Sequence, residues 1–114
     1  RALARSRAEL VARARAHRLP DHAGDGGTLT LSNLGMCGID SFDAMVTPPQ
    51  TAALALGAVR RVPVVGADGA ITVQRQVHAS LTVDHRVVDG ASAAPFLKAL
   101  DDVLRAPTGL LDWR

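Results

Sequence analysis

Apolar and polar residues alternate most regularly over residues 71–83, and this pattern predicts a β-strand, because alternate residues share one face. The apolar face is interrupted only by Arg75 and is formed by Ile71, Val73, Val77, Ala79, Leu81 and Val83. If the strand keeps its parity for two more residues, His85 points to the apolar side. A histidine delivered to the buried side at the end of a strand favours a functional role over an ordinary surface turn.

Two further segments have the patterns of strands. Residues 28–33 alternate polar and apolar side chains, with Leu29 and Leu31 expected on the buried side. Residues 51–59 are almost uniformly apolar, which is typical of a strand covered on both faces, and residues 60–65 are expected to continue it. The long connection between the first two segments contains glycines and a double proline, and its length favours a functional or interface-forming loop.

Helical spacing of apolar residues predicts one helix near each end of the chain. The first covers residues 2–19 and ends at Pro20, and the second covers residues 91–105. Asp101 and Arg105 are spaced for an ion pair on the exposed side of the second helix. The first apolar stripe is Leu3, Leu10, Val11 and Ala14, and the second is Phe96, Leu97, Leu100, Val103 and Leu104.

Composition indicates a small or partial domain with a core of small side chains. Of the 114 residues, 47% are hydrophobic but only 3% are aromatic. Such a core is expected to complete its burial against a partner or another segment. Because the chain starts at Arg1 rather than at a methionine, we expect it to be a piece of a longer protein.

Charge and cysteine content exclude several classes of function. Six of the 13 basic residues lie in the first 18 positions, so nucleic-acid binding would rest on one helix without aromatic residues, and no nucleic-acid partner is expected. The single cysteine, Cys37, excludes an internal disulfide and a cysteine-based metal site, and no metal is expected. No apolar run is long enough to span a membrane, so we expect no membrane partner and a cytoplasmic location.

The densest group of chemically active side chains follows the alternating segment. It reads Asp84-His85-Arg86-Val-Val-Asp89-Gly90. Histidine is the side chain whose ordinary pKa lies nearest neutrality, so His85 is a candidate general base. Gly90 is expected to let the backbone turn sharply before the second helix. The alternative is an ordinary charged turn.

Two segments together resemble the catalytic domain of the dihydrolipoyl acyltransferases, the core components of 2-oxoacid dehydrogenase complexes. The second segment, residues 84–90, is similar to the family signature His-x-x-x-Asp-Gly. The first segment is most similar to the acetyl-transferring members, which serve pyruvate dehydrogenase, and contains Ser32-Asn33-Leu34-Gly35-Met36-Cys37-Gly38. The resemblance implies a chloramphenicol-acetyltransferase-like α/β fold of two layers, a mixed sheet with flanking helices. Residues 1–114 would form the C-terminal part of that catalytic domain.

The resemblance also implies a role for several residues. His85 would be the general base that takes a proton from the thiol of coenzyme A or of dihydrolipoamide, and Ser32 would hydrogen-bond the oxyanion of the tetrahedral intermediate. Asp89 would be either a second catalytic group or a carboxylate that fixes the loop through Arg86, and we favour the structural role. Arg86 and Gly90 would then be structural.

The segment after Ser32 would bind substrate. Its residues are Asn33, Leu34, Gly35 and Met36. Cys37 stands where an aromatic residue is more usual in the family. A nucleophilic pair of Cys37 and His85 is conceivable, but neither the surroundings of the two residues nor their spacing supports it.

The family also implies the substrates and partners. Coenzyme A would be a substrate, and lipoamide would arrive on a separate lipoyl domain, because the sole lysine, Lys98, lacks a lipoylation context. Ser32 and His85 would meet across an interface of a homotrimer that builds a larger hollow core, to which residues 108–114 are expected to contribute. The dehydrogenase and dihydrolipoamide dehydrogenase components would be further partners. The alternatives are a non-catalytic assembly module and a related acyltransferase with another acyl group or acceptor.

Overall fold

The computed structural model describes residues 2–21 and 25–107. The predicted docking tail, residues 108–114, lies outside the described residues. In chain order the regular elements are α1 (Ala2–Arg15), β1 (Leu29–Asn33), a 3₁₀ turn (Gly35–Cys37), β2 (Ala52–Leu56), β3 (Arg60–Val65), β4 (Ile71–Gln76), β5 (Ala79–Val83) and α2 (Gly90–Arg105).

A three-stranded mixed sheet forms the centre of the molecule, with the strand order β1-β2-β5. β1 runs parallel to β2, and β5 runs antiparallel to β2. β2 is the middle strand, and its consecutive residues Ala53, Leu54 and Ala55 are all buried, so both of its faces are covered. The mixed sheet and the covered central strand are as the sequence predicts.

The prediction of one continuous strand over residues 71–83 is wrong. β4 pairs antiparallel with β3 in a separate two-stranded sheet, whereas β5 pairs with β2. The chain leaves one sheet and enters the other at Val77 and His78, where the Gly57 N–H donates to the His78 carbonyl oxygen at 3.0 Å. Residues 60–65 form β3 and do not continue β2. The alternation is unbroken in the sequence, but the two halves pair with different partners.

The two helices differ in how closely they follow the sequence pattern. α2 matches its prediction within one residue, packs against β5 and carries the expected ion pair, with Arg105 Nε at 2.8 Å from Asp101 Oδ2. α1 ends at Arg15, before the predicted end at residue 19, because His17 adopts a left-handed φ of 52°. Among the described residues, no helix combines the length and the apolar character that crossing a membrane requires.

The core is small, and many large apolar side chains lie on the surface. Within residues 2–21 and 25–107, the buried hydrophobic residues are Ala53, Leu54, Ala55 and Ala58. Leu31 is 58% exposed, so the expectation that it lies on a buried side is wrong for this chain. Met36, Met45 and Ile71 are also more than half exposed. Exposed apolar surface on this scale is typical of a chain that packs against further protein.

Candidate active site

The histidine motif forms a turn that continues directly from β5. The Asp84 N–H donates to the Thr51 carbonyl oxygen at 2.8 Å, which extends the pairing between β5 and β2 by one residue. The Asp84 carbonyl oxygen then accepts the N–H groups of Val87 and Val88, both at 2.9 Å. Asp84 therefore begins two nested turns that share its carbonyl oxygen as acceptor, and His85 is the second residue of both.

His85 is exposed and lies in this turn, outside the strand. The expectation that it continues the strand parity and points to the apolar side is wrong, because β5 ends at Val83. The turn redirects the chain before the histidine. The consequence is an imidazole that an incoming substrate can reach.

The carboxylate of Asp84 pairs with Arg86. Arg86 Nε donates to Oδ1 at 2.9 Å and Arg86 Nη2 donates to Oδ2 at 2.6 Å. The side-chain hydrogen bonds from Arg86 lower the pKa of the Asp84 carboxyl to about 2. The suggested pairing of Arg86 with Asp89 is therefore wrong, since Arg86 binds the carboxylate on the other side of His85.

Asp89 caps the N-terminus of α2. Its backbone is extended (φ −94°, ψ 170°), and the Ser92 N–H donates to its Oδ1 at 2.8 Å. Hydrogen bonding from Ser92 lowers the pKa of the Asp89 carboxyl, as expected for an ionised acceptor at a helix N-terminus. A structural role for Asp89 is consistent with this geometry, but its carboxylate accepts the Ser92 N–H and, among the residues that the structure describes, pairs with no arginine.

Gly90 is the first residue of α2, and its φ is not positive. A Cβ built on Gly90 would meet nothing within 4 Å. The expectation that Gly90 permits a sharp turn is therefore wrong in this chain.

Ser32 lies on β1, half-buried, and its neighbour Asn33 ends the strand. The Gly35 N–H donates to Asn33 Oδ1 at 2.9 Å, and the Leu34 N–H donates to the Leu56 carbonyl oxygen at 3.2 Å. These bonds start the 3₁₀ turn, on which Met36 is 76% exposed. The four residues predicted to bind substrate are thus one continuous segment at the end of β1.

Two glycines fix this segment against the end of β2. A Cβ on Gly35 would overlap the Gly57 carbonyl oxygen, and a Cβ on Gly57 would overlap the Asp40 carbonyl oxygen, both well inside the 3.0 Å that real Cβ atoms keep. Arg60 adds hydrogen bonds to Asp40 Oδ1 at 2.6 Å and to the Gly38 carbonyl oxygen at 3.0 Å. The loop after Ser32 is therefore held by close backbone packing.

Gly57→Ala is expected to lower the free energy of unfolding by about 1–3 kcal/mol or more, because the new methyl group displaces backbone. Chemical denaturation of the full-length protein measures the change. Gly90→Ala is the matched control and should cause no loss of stability, since its Cβ enters open space. Equal stability of the two variants would contradict the close approach of Gly57 to Asp40.

The sheet register places Ser32 and His85 at opposite ends of the sheet. Ser32 is level with Ala55 on β2, and Ala55 is level with Ser80 on β5. Asp84, the last paired residue before His85, lies four residues further along β5. From the spacing of strands and the rise per residue, the Cα atoms of Ser32 and Asp84 are roughly 16 Å apart. Within one chain, Ser32 and His85 therefore cannot both lie within hydrogen-bonding distance of the same reacting group.

Cys37 is exposed in the 3₁₀ turn, at the Ser32 end of the sheet. The same separation therefore keeps its thiol away from His85. The structure does not bring together the nucleophilic pair that the sequence already disfavoured.

Two clefts in the described part of the chain lie away from Ser32 and His85. A cleft of about 750 Å³ lies between the β3–β4 hairpin and α2 and is lined by residues that include Arg60, His78 and Leu100. A second cleft, of about 420 Å³, is lined by residues 25–27 and 47–50. Neither Ser32, which is half-buried, nor His85, which is exposed, lines either of them.

The sequence assigns no role to Asp84, which the structure places at the start of the turn that contains His85. A signal was present, because aspartate often starts a turn by accepting the N–H two residues on. The Arg86 N–H donates to Asp84 Oδ1 in this way, at 3.1 Å.

Comparison with known proteins identifies one family. Residues 1–111 match the model of "2-oxoacid dehydrogenases acyltransferase (catalytic domain)". The acetyltransferase component of the Zymomonas mobilis pyruvate dehydrogenase complex is 45% identical over 103 residues, which cover 90% of this chain and 23% of the relative. The chain thus spans about a quarter of the length of such curated relatives.

Two solved structures share the fold with a TM-score of 0.88. One is Azotobacter vinelandii dihydrolipoamide acetyltransferase, studied for the roles of a serine, a histidine and an asparagine in catalysis; it is 37% identical, and the match covers 96% of this chain and 44% of that one. The other is the cubic core of a pyruvate dehydrogenase multienzyme complex, 36% identical with the same coverage. These neighbours confirm the predicted fold class.

Proposed function

We propose an acyltransferase function on the premise that this chain belongs to the 2-oxoacid dehydrogenase acyltransferase family, whose catalytic-domain model matches residues 1–111. The proposed reaction moves an acyl group, acetyl in the first place, between dihydrolipoamide and coenzyme A. The observation that carries this proposal is the exposed His85, held in a hydrogen-bonded turn at the end of a central sheet. Relatives named as acetyltransferases support the choice of acetyl.

His85 acts as the general base. Its imidazole takes the proton of the attacking thiol while the sulfur forms a bond to the thioester carbonyl carbon. When the tetrahedral intermediate collapses, the carbon–sulfur bond to the second thiol breaks and the imidazolium returns the proton to that sulfur. A thiol with a pKa of about 8.5 needs only a modest base close by, and imidazole suits this task.

Ser32 stabilises the oxyanion of that intermediate. Its hydroxyl is half-buried on the edge strand β1, beside the exposed loop that carries Met36. The loop residues 33–36 form the wall against which coenzyme A and dihydrolipoamide bind as substrates. A positioned donor acts on the charge that develops in the transition state, where it is worth more than in the bound substrate.

The complete site lies between two copies of the chain. Ser32 and His85 stand at opposite ends of one sheet, so a second subunit has to supply one of them. Exposed apolar residues such as Leu31 and Met45 provide surface for such a contact. The likeness to a cubic core supports assembly into a larger body, and we propose a homotrimer as its unit.

Mixing two inactive variants tests this arrangement. We expect co-assembled Ser32→Ala and His85→Ala subunits to recover about one quarter of the wild-type sites, because a quarter of random interfaces pair an intact Ser32 with an intact His85. Activity of the full-length protein, assayed after co-expression, measures the recovery. Each variant expressed alone is the control. Mixed assemblies no more active than the two parents would contradict a site shared between subunits.

The remaining partners follow from the reaction. The lipoyl group is carried by a separate lipoyl domain. The dehydrogenase component reductively acylates its disulfide form, and the dihydrolipoamide dehydrogenase component reoxidises the dithiol that acyl transfer to coenzyme A leaves behind. Relatives that are components of pyruvate dehydrogenase complexes support this setting. The cytoplasmic location stays a prediction.

A further inference from the structure

We propose that Asp84 is the positioning residue of the active site, whose carboxylate and carbonyl oxygen fix the turns that aim the His85 imidazole. This inference rests on the acyl transfer proposed above. Asp84 does not itself touch the reacting atoms and acts through His85.

Asp84 contributes four separate hydrogen-bonding partnerships around His85. Its N–H joins the turn to Thr51 on β2, and its carbonyl oxygen accepts from Val87 and Val88. Its Oδ1 accepts the Arg86 N–H at 3.1 Å, so a side-chain turn encloses His85 as its central residue. The backbone of the histidine is thus bracketed on both sides by atoms of one residue.

An ion pair with Arg86 reinforces the arrangement of this side chain. The Asp84 side chain is only 18% exposed, whereas the Arg86 side chain is 81% exposed and lies across it. The Arg86 N–H and Arg86 Nε both donate to Asp84 Oδ1, so one oxygen at this position holds the turn, and the bonds to Oδ2 add to it.

Positioning by Asp84 matters because His85 lies on an exposed turn. An exposed side chain receives little support from packing, so the backbone conformation has to set its direction. A displacement of about 1 Å at a reacting group costs about 100-fold in rate. Asp84 therefore controls turnover through geometry, while the charge of its carboxylate is already paired with Arg86.

Three substitutions separate geometry from charge. Asp84→Asn keeps an oxygen at the same place but removes the charge, Asp84→Glu keeps the charge but lengthens the side chain, and Asp84→Ala removes both. We expect kcat to fall about 100-fold in the Ala and Glu variants with KM unchanged, and to stay within about 5-fold of wild type in the Asn variant.

The control is Asp101→Ala, which removes an exposed carboxylate paired with Arg105 at a distance of 2.8 Å. It should leave kcat and KM unchanged. If Asp84→Glu is more active than Asp84→Asn, the charge acts on the histidine and the positioning role is overturned. Wild-type kcat in Asp84→Ala overturns it as well.

Amide hydrogen exchange gives a readout that does not depend on activity. The Arg86 N–H should exchange faster in Asp84→Ala and Asp84→Glu than in wild type, and at the wild-type rate in Asp84→Asn. Unchanged exchange in Asp84→Ala overturns the proposal. If the wild-type full-length protein transfers no acyl group while exchange responds as expected, the turn assignment stands and the acyltransferase proposal fails.

Discussion

His85→Ala is expected to lower kcat for acyl transfer between acetyl-coenzyme A and dihydrolipoamide by about 10²–10⁴-fold. The imidazole is the exposed base in the turn that follows β5, and without it the thiol has to lose its proton to water. The substrates bind mainly through other contacts, so KM should change little. Steady-state kinetics of the full-length protein measures both values.

The matched control is His78→Ala. His78 is also exposed, and the contact it makes with Gly57 uses its backbone carbonyl oxygen, which alanine retains. This variant should keep the wild-type rate. An unchanged rate in His85→Ala would remove the general base from the mechanism and favour a non-catalytic assembly module.

Ser32→Ala is expected to lower kcat by about 10²–10³-fold, which corresponds to roughly 2.7–4 kcal/mol of lost transition-state stabilisation. The hydroxyl bonds to charge that exists only after the thiol has attacked, so KM should stay close to its wild-type value. Kinetics with both substrates varied in turn separates the two parameters.

Ser80→Ala provides the comparison for Ser32. Ser80 lies on β5 and is likewise half-buried, and Ala55 of β2 lies between the two serines in the same row. Loss of the Ser80 hydroxyl should leave kcat unchanged. An increase in KM with no change in kcat for Ser32→Ala would assign Ser32 to substrate packing.

The elements themselves are largely determined by the sequence. The apolar run that forms β2 and the helical stripe of α2 are local patterns, and each predicts its element to within a few residues. Asp89 also sits directly before α2, where its side chain caps the helix. Local periodicity and capping depend on neighbours in the chain, and a sequence contains that information.

The pairing of the strands was decided by the tertiary structure. Residues 71–83 have a single alternating pattern, yet they form β4 and β5 in two different sheets. The predicted direction of the His85 side chain is wrong because the alternation of faces applies only within a strand, and β5 ends at Val83. An alternating pattern specifies which residues share a face and leaves the partner strand open.

Part of the candidate site can likewise be predicted from the sequence, and part of it is decided only by the fold. The motif around His85 and the segment after Ser32 are recognisable in the sequence, because they carry the residue types that the chemistry needs. Which carboxylate binds Arg86 and how far apart Ser32 and His85 lie follow only from the fold. Hydrogen bonds between distant segments set the register of β1, β2 and β5, and that register places the two halves of the site at opposite ends of one sheet.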